Sequence, residues 1–154
     1  MLRLSKLTDY AVVVLIRLSD AERASGDAVH TAPGLAVATG VPEPTVAKVL
    51  KALAGAGLVV SQRGARGGYR LARPVDEVSV ADVITAIDGP IALTACVDGG
   101  TGSCDVESMC AVKGRWDLVN DAIHAALTGI SLTDMRVASI PLVFRVPASL
   151  SAAE

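Results

Sequence analysis

The sequence feature that most limits the fold is a pair of short, well-delimited helices followed at once by a glycine-rich hairpin. Thr31 and Gly40 bracket the first of these helices as N-cap and C-terminal stop, with Pro33 in its first turn. A tight Val-Pro-Glu-Pro turn leads into the second helix, predicted over 44–54, whose apolar residues recur every three or four positions. Two short helices joined by a tight turn indicate a helix-turn-helix.

The residues that follow predict a β-hairpin with a basic tip. Residues 58–63 have the pattern of one strand and residues 69–72 that of the next, with a Gly-Ala-Arg-Gly-Gly turn between them. We expect these glycines to let the backbone approach a phosphate chain closely. The predicted fold is therefore mostly α-helical with one small β-hairpin, arranged as a winged helix-turn-helix DNA-binding domain.

Further helices flank this winged helix. A first helix, predicted over 5–20, is apolar nearly all round and should be largely buried. The segment Ser79 to Asp82 resembles a capping box, and residues 131–134 can cap a short late helix. Apolar residues recur at heptad-like spacing over 112–130, which predicts a long dimerisation helix packed against a second copy of itself. The residues of that seam are Val112, Trp116, Val119, Ile123, Leu127 and Ile130.

Charge is divided unevenly along the chain, which suggests that its two halves have different functions. Residues 1–75 hold ten Lys and Arg against five Asp and Glu, whereas residues 76–154 hold four against eleven. Their formal charges are therefore +5 and -7, which sum to the -2 of the whole chain. We predict a DNA-binding domain over 1–75, a sensing and dimerisation region over 76–138, and a C-terminal arm over 139–154.

All three cysteines, Cys96, Cys104 and Cys110, fall in one glycine-rich loop predicted over 91–111. The chain shows no signal peptide, and its apolar runs are shorter than the roughly 20 residues that span a bilayer. We therefore expect a cytoplasmic protein with no membrane partner, in which thiols stay reduced. Clustered thiols of odd number then indicate metal or redox chemistry. Zinc usually shows Cys-x2–4-Cys pairs, which are missing here, but a zinc site or a thiol–disulfide switch stays open.

Candidate DNA contacts lie on the second helix of the pair and on the hairpin. Thr45 and Lys48 should project from the outward face of that helix, where a lysine can reach guanine acceptors. The candidates for phosphate or minor-groove contact are Lys51, Arg63, Arg66 and Arg70. Each of these residues could instead be a solvated surface charge.

Other chemistry finds little support in the sequence. No Ser/His/Asp set or credible carboxylate pair is visible, and the glycines of 64–68 lack the Lys-Ser/Thr of a nucleotide-binding loop. We therefore predict that the protein is not an enzyme. His30 is expected to be solvated in a polar loop, and His124 to be packing or polar surface.

Three parts of the sequence together resemble the IscR-like winged-helix regulators, a family that includes sensors of iron–sulfur status and of nitric oxide. They are the opening residues Met1 to Ala11, the segment 57–71 with its Arg-Gly-x-x-Gly-Gly-Tyr motif, and the three-cysteine loop before a long helix. The resemblance covers residues 1 to about 137. The opening residues are most similar to regulators of SUF-type iron–sulfur assembly operons.

The resemblance implies a homodimer that binds palindromic double-stranded operator DNA. Each subunit would place its third helix in a major groove and its wing along the minor groove. It also implies that the loop cysteines hold an iron–sulfur cluster, [2Fe–2S] in preference to [4Fe–4S], whose state alters DNA affinity.

The resemblance leaves the cluster one ligand short. Four ligands are usual, and many family members have a histidine where this chain has Lys113. Asp9 matches an aspartate that ligates the cluster across the dimer in nitric-oxide-sensing relatives, although it could also be a plain helix N-terminal charge. Weaker candidates inside the loop are Asp98, Asp105 and Glu107.

The predicted function is iron–sulfur-cluster-dependent regulation of transcription, with the protein acting as a repressor of SUF-type assembly genes. One alternative is a nitric-oxide or redox-sensing regulator of the same fold. Another is a cluster-free, thiol-based DNA regulator. A third, from a different class, is a cluster carrier or redox protein whose basic wing binds a partner protein.

Overall fold

The fold consists of short helices and one β-hairpin, and a computed structural model describes residues 3–26, 29–100, 104–106 and 109–136. Its elements are α1 (Lys6–Ser25), α2 (Ala32–Thr39), α3 (Glu43–Gly55), β1 (Val59–Gln62), β2 (Gly68–Leu71), α4 (Val80–Asp88), α5 (Trp116–Thr128) and α6 (Leu132–Arg136). A 3-10 turn, Val75–Glu77, lies between β2 and α4. The mostly helical fold class with a winged helix-turn-helix is confirmed. The C-terminal arm predicted over 139–154 lies outside the described residues, as does Glu107.

Helix α1 is longer than the sequence predicted. Ser5 caps it, since its side chain accepts a hydrogen bond from the Thr8 amide at 3.2 Å. The helix runs through residues 21–25, which were predicted as loop, because Ala, Glu and Arg there are good helix formers and the first breaker is Gly26. It is also not buried all round, because Val13 and Arg17 are exposed.

Helices α2 and α3 form the helix-turn-helix. The predicted caps of α2 are confirmed: the Thr31 side chain accepts from the Gly34 amide at 3.2 Å, and Gly40 is left-handed with φ 73°. The apolar face of α3 is completely buried against α1, α2 and α4. Its residues are Val46, Val49, Leu50 and Leu53. This burial fixes which face of α3 is left for a ligand.

The wing is an antiparallel hairpin whose register pairs Val59 with Leu71 and Gln62 with Gly68. The chain just before α2 joins it, because His30 and Tyr69 exchange two backbone hydrogen bonds of 2.8 Å each. A Cβ at Gly68 would lie 2.8 Å from the carbonyl oxygen of His30. That glycine therefore serves the protein's own backbone pairing, whatever it does for DNA.

One hydrophobic core joins the winged helix to the chain that follows it. Val78, Val83 and Leu132 are completely buried in the same cluster as the α1 and α3 residues. The Leu132 amide donates to the Val78 carbonyl at 2.9 Å, which places α6 under the winged helix. Residues on both sides of position 75 thus share one core.

The cysteine loop lies between α4 and α5 in the sequence. The capping box of α4 is confirmed, with Asp82 Oδ2 accepting from the Ser79 amide at 2.9 Å. The predicted helix over 112–130 is too long, because α5 begins only at Trp116, two residues after Gly114, which has a positive φ of 73°. No helix in the described part of the chain is long and apolar enough to cross a membrane.

Candidate nucleic-acid interface and cysteine site

Helix α3 presents a basic face away from the core. Lys48 and Lys51 are exposed on it, and Thr45 is half-buried. The first turn of the helix carries exposed Glu43 and Pro44. Two lysines on the outward face of the second helix of a helix-turn-helix are placed for contact with the major groove.

The wing adds cations next to this helix. Arg63 and Arg66 are exposed near the tip of the hairpin, whereas Arg70 is half-buried on β2, opposite Val60. Between Glu43 and Asp76 the sequence holds six Lys and Arg and no Asp or Glu. Such a one-signed stretch produces the positive field that attracts phosphates.

Arg73, which also belongs to this basic stretch, has an internal role. Its Nη2 lies 3.0 Å from Asp82 Oδ2, the carboxylate that also forms the α4 capping box. The side chains of both residues are 40% exposed, so the pair is worth little by itself. Its effect is to hold the base of the wing against the start of α4.

His30 is not the solvated loop residue that the sequence predicted. It is half-buried, because its backbone pairs with Tyr69, and its Nε2 is buried without a hydrogen-bond partner among the described residues. His124, by contrast, is exposed on α5, and its Nδ1 lies 3.3 Å from Thr128 Oγ1. Among the described residues, neither histidine belongs to a group of three or more potential metal ligands.

The three cysteines are free thiols, each half-buried. Cys96 lies in a closed turn, where the adjacent Val97 is buried and the Gly100 amide donates to the Val97 carbonyl at 2.9 Å. Thr94 Oγ1 lies 3.2 Å from Cys96 Sγ. A Cβ at Gly99 would come 2.9 Å from Pro90 Cβ, so this turn packs back on the start of the loop.

The predicted ligands are not gathered in a single copy of the described chain. Among residues 3–26, 29–100, 104–106 and 109–136, no group of three or more His, Cys, Asp or Glu could hold a metal ion. Asp9 is exposed in the first turn of α1. The three free thiols nonetheless match, in donor type, three of the four thiolates that usually hold an iron–sulfur cluster.

Asp88 ties the start of the loop to α1, a contact that no sequence pattern predicted. Its Oδ2 accepts from Thr8 Oγ1 at 2.6 Å and from the Ser5 amide at 3.4 Å. Partial burial raises the pKa of Asp88, whereas the hydrogen bonds from Thr8 and Ser5 lower it. The hydrogen bonds together have the larger effect, so the pKa lies below its ordinary value. A carboxylate is unfavourable at the end of its own helix and favourable at the start of α1.

Asn120 ties the same part of the loop to α5. Its Oδ1 accepts from the Leu93 amide and its Nδ2 donates to the Ile91 carbonyl, both at 3.1 Å. Sequence patterning placed Asn120 among the polar residues between seam positions, because spacing along one helix does not reveal a bond to a distant loop.

The predicted dimer seam of α5 is divided between two environments. Ile123 and Leu127 are half-buried and line a groove of about 670 Å³ with Leu4, Ile91 and Leu93. The other seam residues, Val112, Trp116, Val119 and Ile130, are exposed. A second apolar side of α5, which shares only Val119 with the predicted seam, is also uncovered in the single chain. Its exposed residues are Leu118, Val119, Ala122, Ala125 and Ala126.

The fold and its basic face define a winged-helix, DNA-binding transcriptional regulator. The chain belongs to the Rrf2 family of iron-dependent transcriptional regulators, whose model matches residues 4–137. The resemblance to IscR-like regulators is thereby confirmed. Proteins of this family are transcriptional regulators and not enzymes.

Similar proteins carry regulator names. An HTH-type transcriptional regulator of Mycobacterium tuberculosis is 36% identical over 141 residues, covering 91% of this chain and 84% of the relative. The regulator NsrR of Oceanobacillus iheyensis is 32% identical over 127 residues, 80% of each chain.

Solved structures of the same fold come from two kinds of regulator. CymR, the global cysteine regulator of B. subtilis, has a TM-score of 0.64 at 27% identity and covers 88% of this chain and 96% of its own. The T. potens IscR has a TM-score of 0.61 at 26% identity, with coverages of 99% and 93%.

Proposed function

We propose that this protein is a homodimeric, iron–sulfur-cluster-dependent repressor of SUF-type assembly genes, acting on palindromic operator DNA in the cytoplasm. The observation that carries the proposal is a loop with three free thiols whose start is bonded to both α1 and α5. A ligand that changed this loop would act on two helices at once, one in the DNA-binding core and one with an uncovered apolar face.

Cys96, Cys104 and Cys110 would hold the cluster, with Asp9 as the fourth ligand from the same or the partner subunit. The cluster supplies a centre whose assembly or oxidation state reports iron and redox conditions. A carboxylate is a harder partner for iron than a thiolate is, so the Asp9 position can exchange readily, which suits a sensor. A [2Fe–2S] cluster is the preferred form, with [4Fe–4S] as the alternative.

The uncovered side of α5, most of which lies outside the predicted seam, supports the homodimer. Leu118 is 76% exposed, and the alanines beside it would let a second helix approach closely. A large uncovered apolar surface on a helix marks an interaction site. Two copies joined there would present two α3 helices to successive major grooves, with Arg63 and Arg66 of each wing beside the phosphate backbone.

Anaerobic purification and reconstitution, followed by visible spectroscopy and operator binding, test this function. The expected result is a brown protein with visible absorbance whose operator affinity differs between the cluster-loaded and apo forms. A colourless, zinc-containing protein would contradict the cluster. An affinity without a steep fall with salt would contradict DNA as the partner and favour the cluster carrier.

A cluster-free thiol regulator is the second candidate, because the matched structures include a cysteine regulator and all three thiols of this chain are free and partly accessible. In this case chelators and anaerobiosis would leave operator binding unchanged, whereas oxidants would alter it. Nitric oxide treatment of the loaded protein separates a nitric-oxide sensor from a sensor of cluster supply.

A further inference from the structure

The most buried side chain of α5 is a polar one. Asn120 is 7% exposed, and it is the one buried residue of α5 among the described residues. On the same side of the helix, Ile123 and Leu127 are only half-buried. An amide at the best-covered position of an amphipathic helix needs a specific reason, because burying it costs free energy unless its donor and its acceptor are both bonded.

The reason is that both ends of the amide are bonded to the loop backbone. The Leu93 amide donates to Asn120 Oδ1, and Asn120 Nδ2 donates to the Ile91 carbonyl, at 3.1 Å each. These partners lie 27 and 29 residues away in sequence. Two opposite bonds to alternate residues fix both the position and the direction of segment 91–93 on α5.

This segment leads directly to the first cysteine. Cys96 is three residues beyond Leu93, in the turn that Val97, Gly99 and Gly100 close. At the other end, three residues before Ile91, Asp88 is bonded to Thr8. The first arm of the cysteine loop, residues 89–96, is therefore held at one end by α1 and in its middle by α5.

We propose that Asn120 is a positioning residue, which sets Cys96 relative to α5 and so links the state of the cysteine loop to the apolar face of that helix. The anchoring depends only on the hydrogen bonds described. Its consequence for DNA binding rests on the proposed function.

The anchoring is tested in the full-length, reduced, cluster-free protein by the rate at which iodoacetamide alkylates each cysteine, resolved by peptide mass spectrometry. Asn120→Ala removes both bonds, whereas Asn120→Asp keeps the shape and the acceptor for Leu93 but faces the Ile91 carbonyl with a second acceptor. Asp121→Ala, at an exposed neighbouring position, is the matched control.

Cys96 should react about tenfold faster in Asn120→Ala, as expected for losing the two bonds that hold the arm, and at least as fast in Asn120→Asp, because a buried carboxylate repels the Ile91 carbonyl. Cys104 and Cys110 should react at the wild-type rate in both Asn120 variants. All three cysteines should react at the wild-type rate in the control, Asp121→Ala. Equal rates of Cys96 in all four proteins, or equal acceleration of all three cysteines, would overturn the proposal. If Asn120→Ala does not fold, Asn120→Asp decides alone.

Operator binding then separates this proposal from the proposed function. With a cluster-dependent wild type, Asn120→Asp should bring the affinities of the loaded and apo forms several-fold closer together while still binding a cluster. If the wild type binds no cluster but Cys96 is alkylated faster in the Asn120 variants, the proposed function is wrong and the anchoring by Asn120 is supported. A variant that retains the full wild-type difference would show that Asn120 anchors the loop without linking it to DNA binding.

Discussion

Thr8 Oγ1 donates a 2.6 Å hydrogen bond to Asp88, which joins the first turn of α1 to the last residue of α4 across 80 positions of sequence. Thr8 is almost completely buried, and its neighbour Asp9 is the candidate fourth ligand. The bond thus holds the helix that carries Asp9 against the point where the cysteine loop begins.

Replacing Thr8 by valine should destabilise the fold, because the shape is retained but the bond to Asp88 is lost. The expected loss is about 1–2 kcal/mol in the free energy of unfolding, since the acceptor is charged but partly exposed. Urea denaturation measures it. Thr85→Val, at an exposed position of α4, is the matched control and should change little. Equal stability of Thr8→Val and wild type would mean that hydrogen bonds from water to Asp88 fully replace the one from Thr8.

The pH dependence of stability should carry the signature of Asp88. Its pKa is lower in the folded than in the unfolded chain, so the unfolded state binds more protons in acid. The stabilisation is therefore present above the unfolded pKa of about 3.9 and is lost as pH falls through the folded value. Unfolding free energies from about pH 6 to about pH 3 should converge for wild type and Asp88→Asn. Parallel curves would contradict this assignment.

Gly68→Ala should disrupt the wing from within. Its Cβ would meet the His30 carbonyl at 2.8 Å, so the His30–Tyr69 pairing must shift. We expect a loss of about 1–3 kcal/mol, measured by thermal or urea unfolding, together with weaker operator binding. Gly55→Ala is the control, because nothing lies within 4 Å of the added atom at the end of α3, and it should be neutral or slightly stabilising.

Arg66→Ala should weaken DNA binding without changing sequence preference. A phosphate contact from the wing tip contributes about 1 to the slope of log affinity against log salt, and that amount should disappear. Fluorescence anisotropy across a salt series measures the slope. Arg23→Ala, an exposed arginine at the end of α1, should leave it unchanged.

Lys48→Ala should instead relax discrimination between operator variants, since base contacts specify sequence.

Asp9→Ala should weaken the cluster more than Asp98→Ala does. Both side chains are exposed acids, but one is the candidate fourth ligand and the other a weaker alternative in the loop. Loss of a residue that is only hydrogen-bonded to a metal ligand typically weakens a metal site by about tenfold or more. Loss of a direct ligand should therefore accelerate bleaching of the visible absorbance by at least about tenfold. Faster bleaching of the Asp98 variant would move the fourth ligand into the loop.

Features governed by near neighbours in sequence were predictable. The caps at Thr31 and Ser79 and the buried face of α3 follow from side chains within four residues, and the structure confirms them. The end of α1 at Ser25 was missed because helix propensity extended the helix past a polar stretch. The late start of α5 was missed because apolar spacing continues through Gly114 although the backbone does not.

Contacts between distant segments were not predictable. The His30–Tyr69 backbone pairing and the bonds of Asp88 and Asn120 join residues 27 to 83 positions apart. Nothing local distinguishes the side chains of Asp88 and Asn120 from surface polar groups. The cysteines could be selected by type and clustering alone. How their ligand set is completed stays a prediction, because it involves Asp9 and a second subunit.

The bond from the Val80 amide to the Ile130 carbonyl, at 2.9 Å, brings together the start of α4 and the second residue after α5. The chain from 89 to 129 therefore leaves the hydrophobic core and returns to it beside the same helix, as an inserted segment does. Insertions with adjacent, well-anchored ends can be exchanged without redesigning their host. The signal to which the winged helix responds can accordingly be changed within residues 89–115, whereas α5 must be kept because the proposed dimer uses its apolar face.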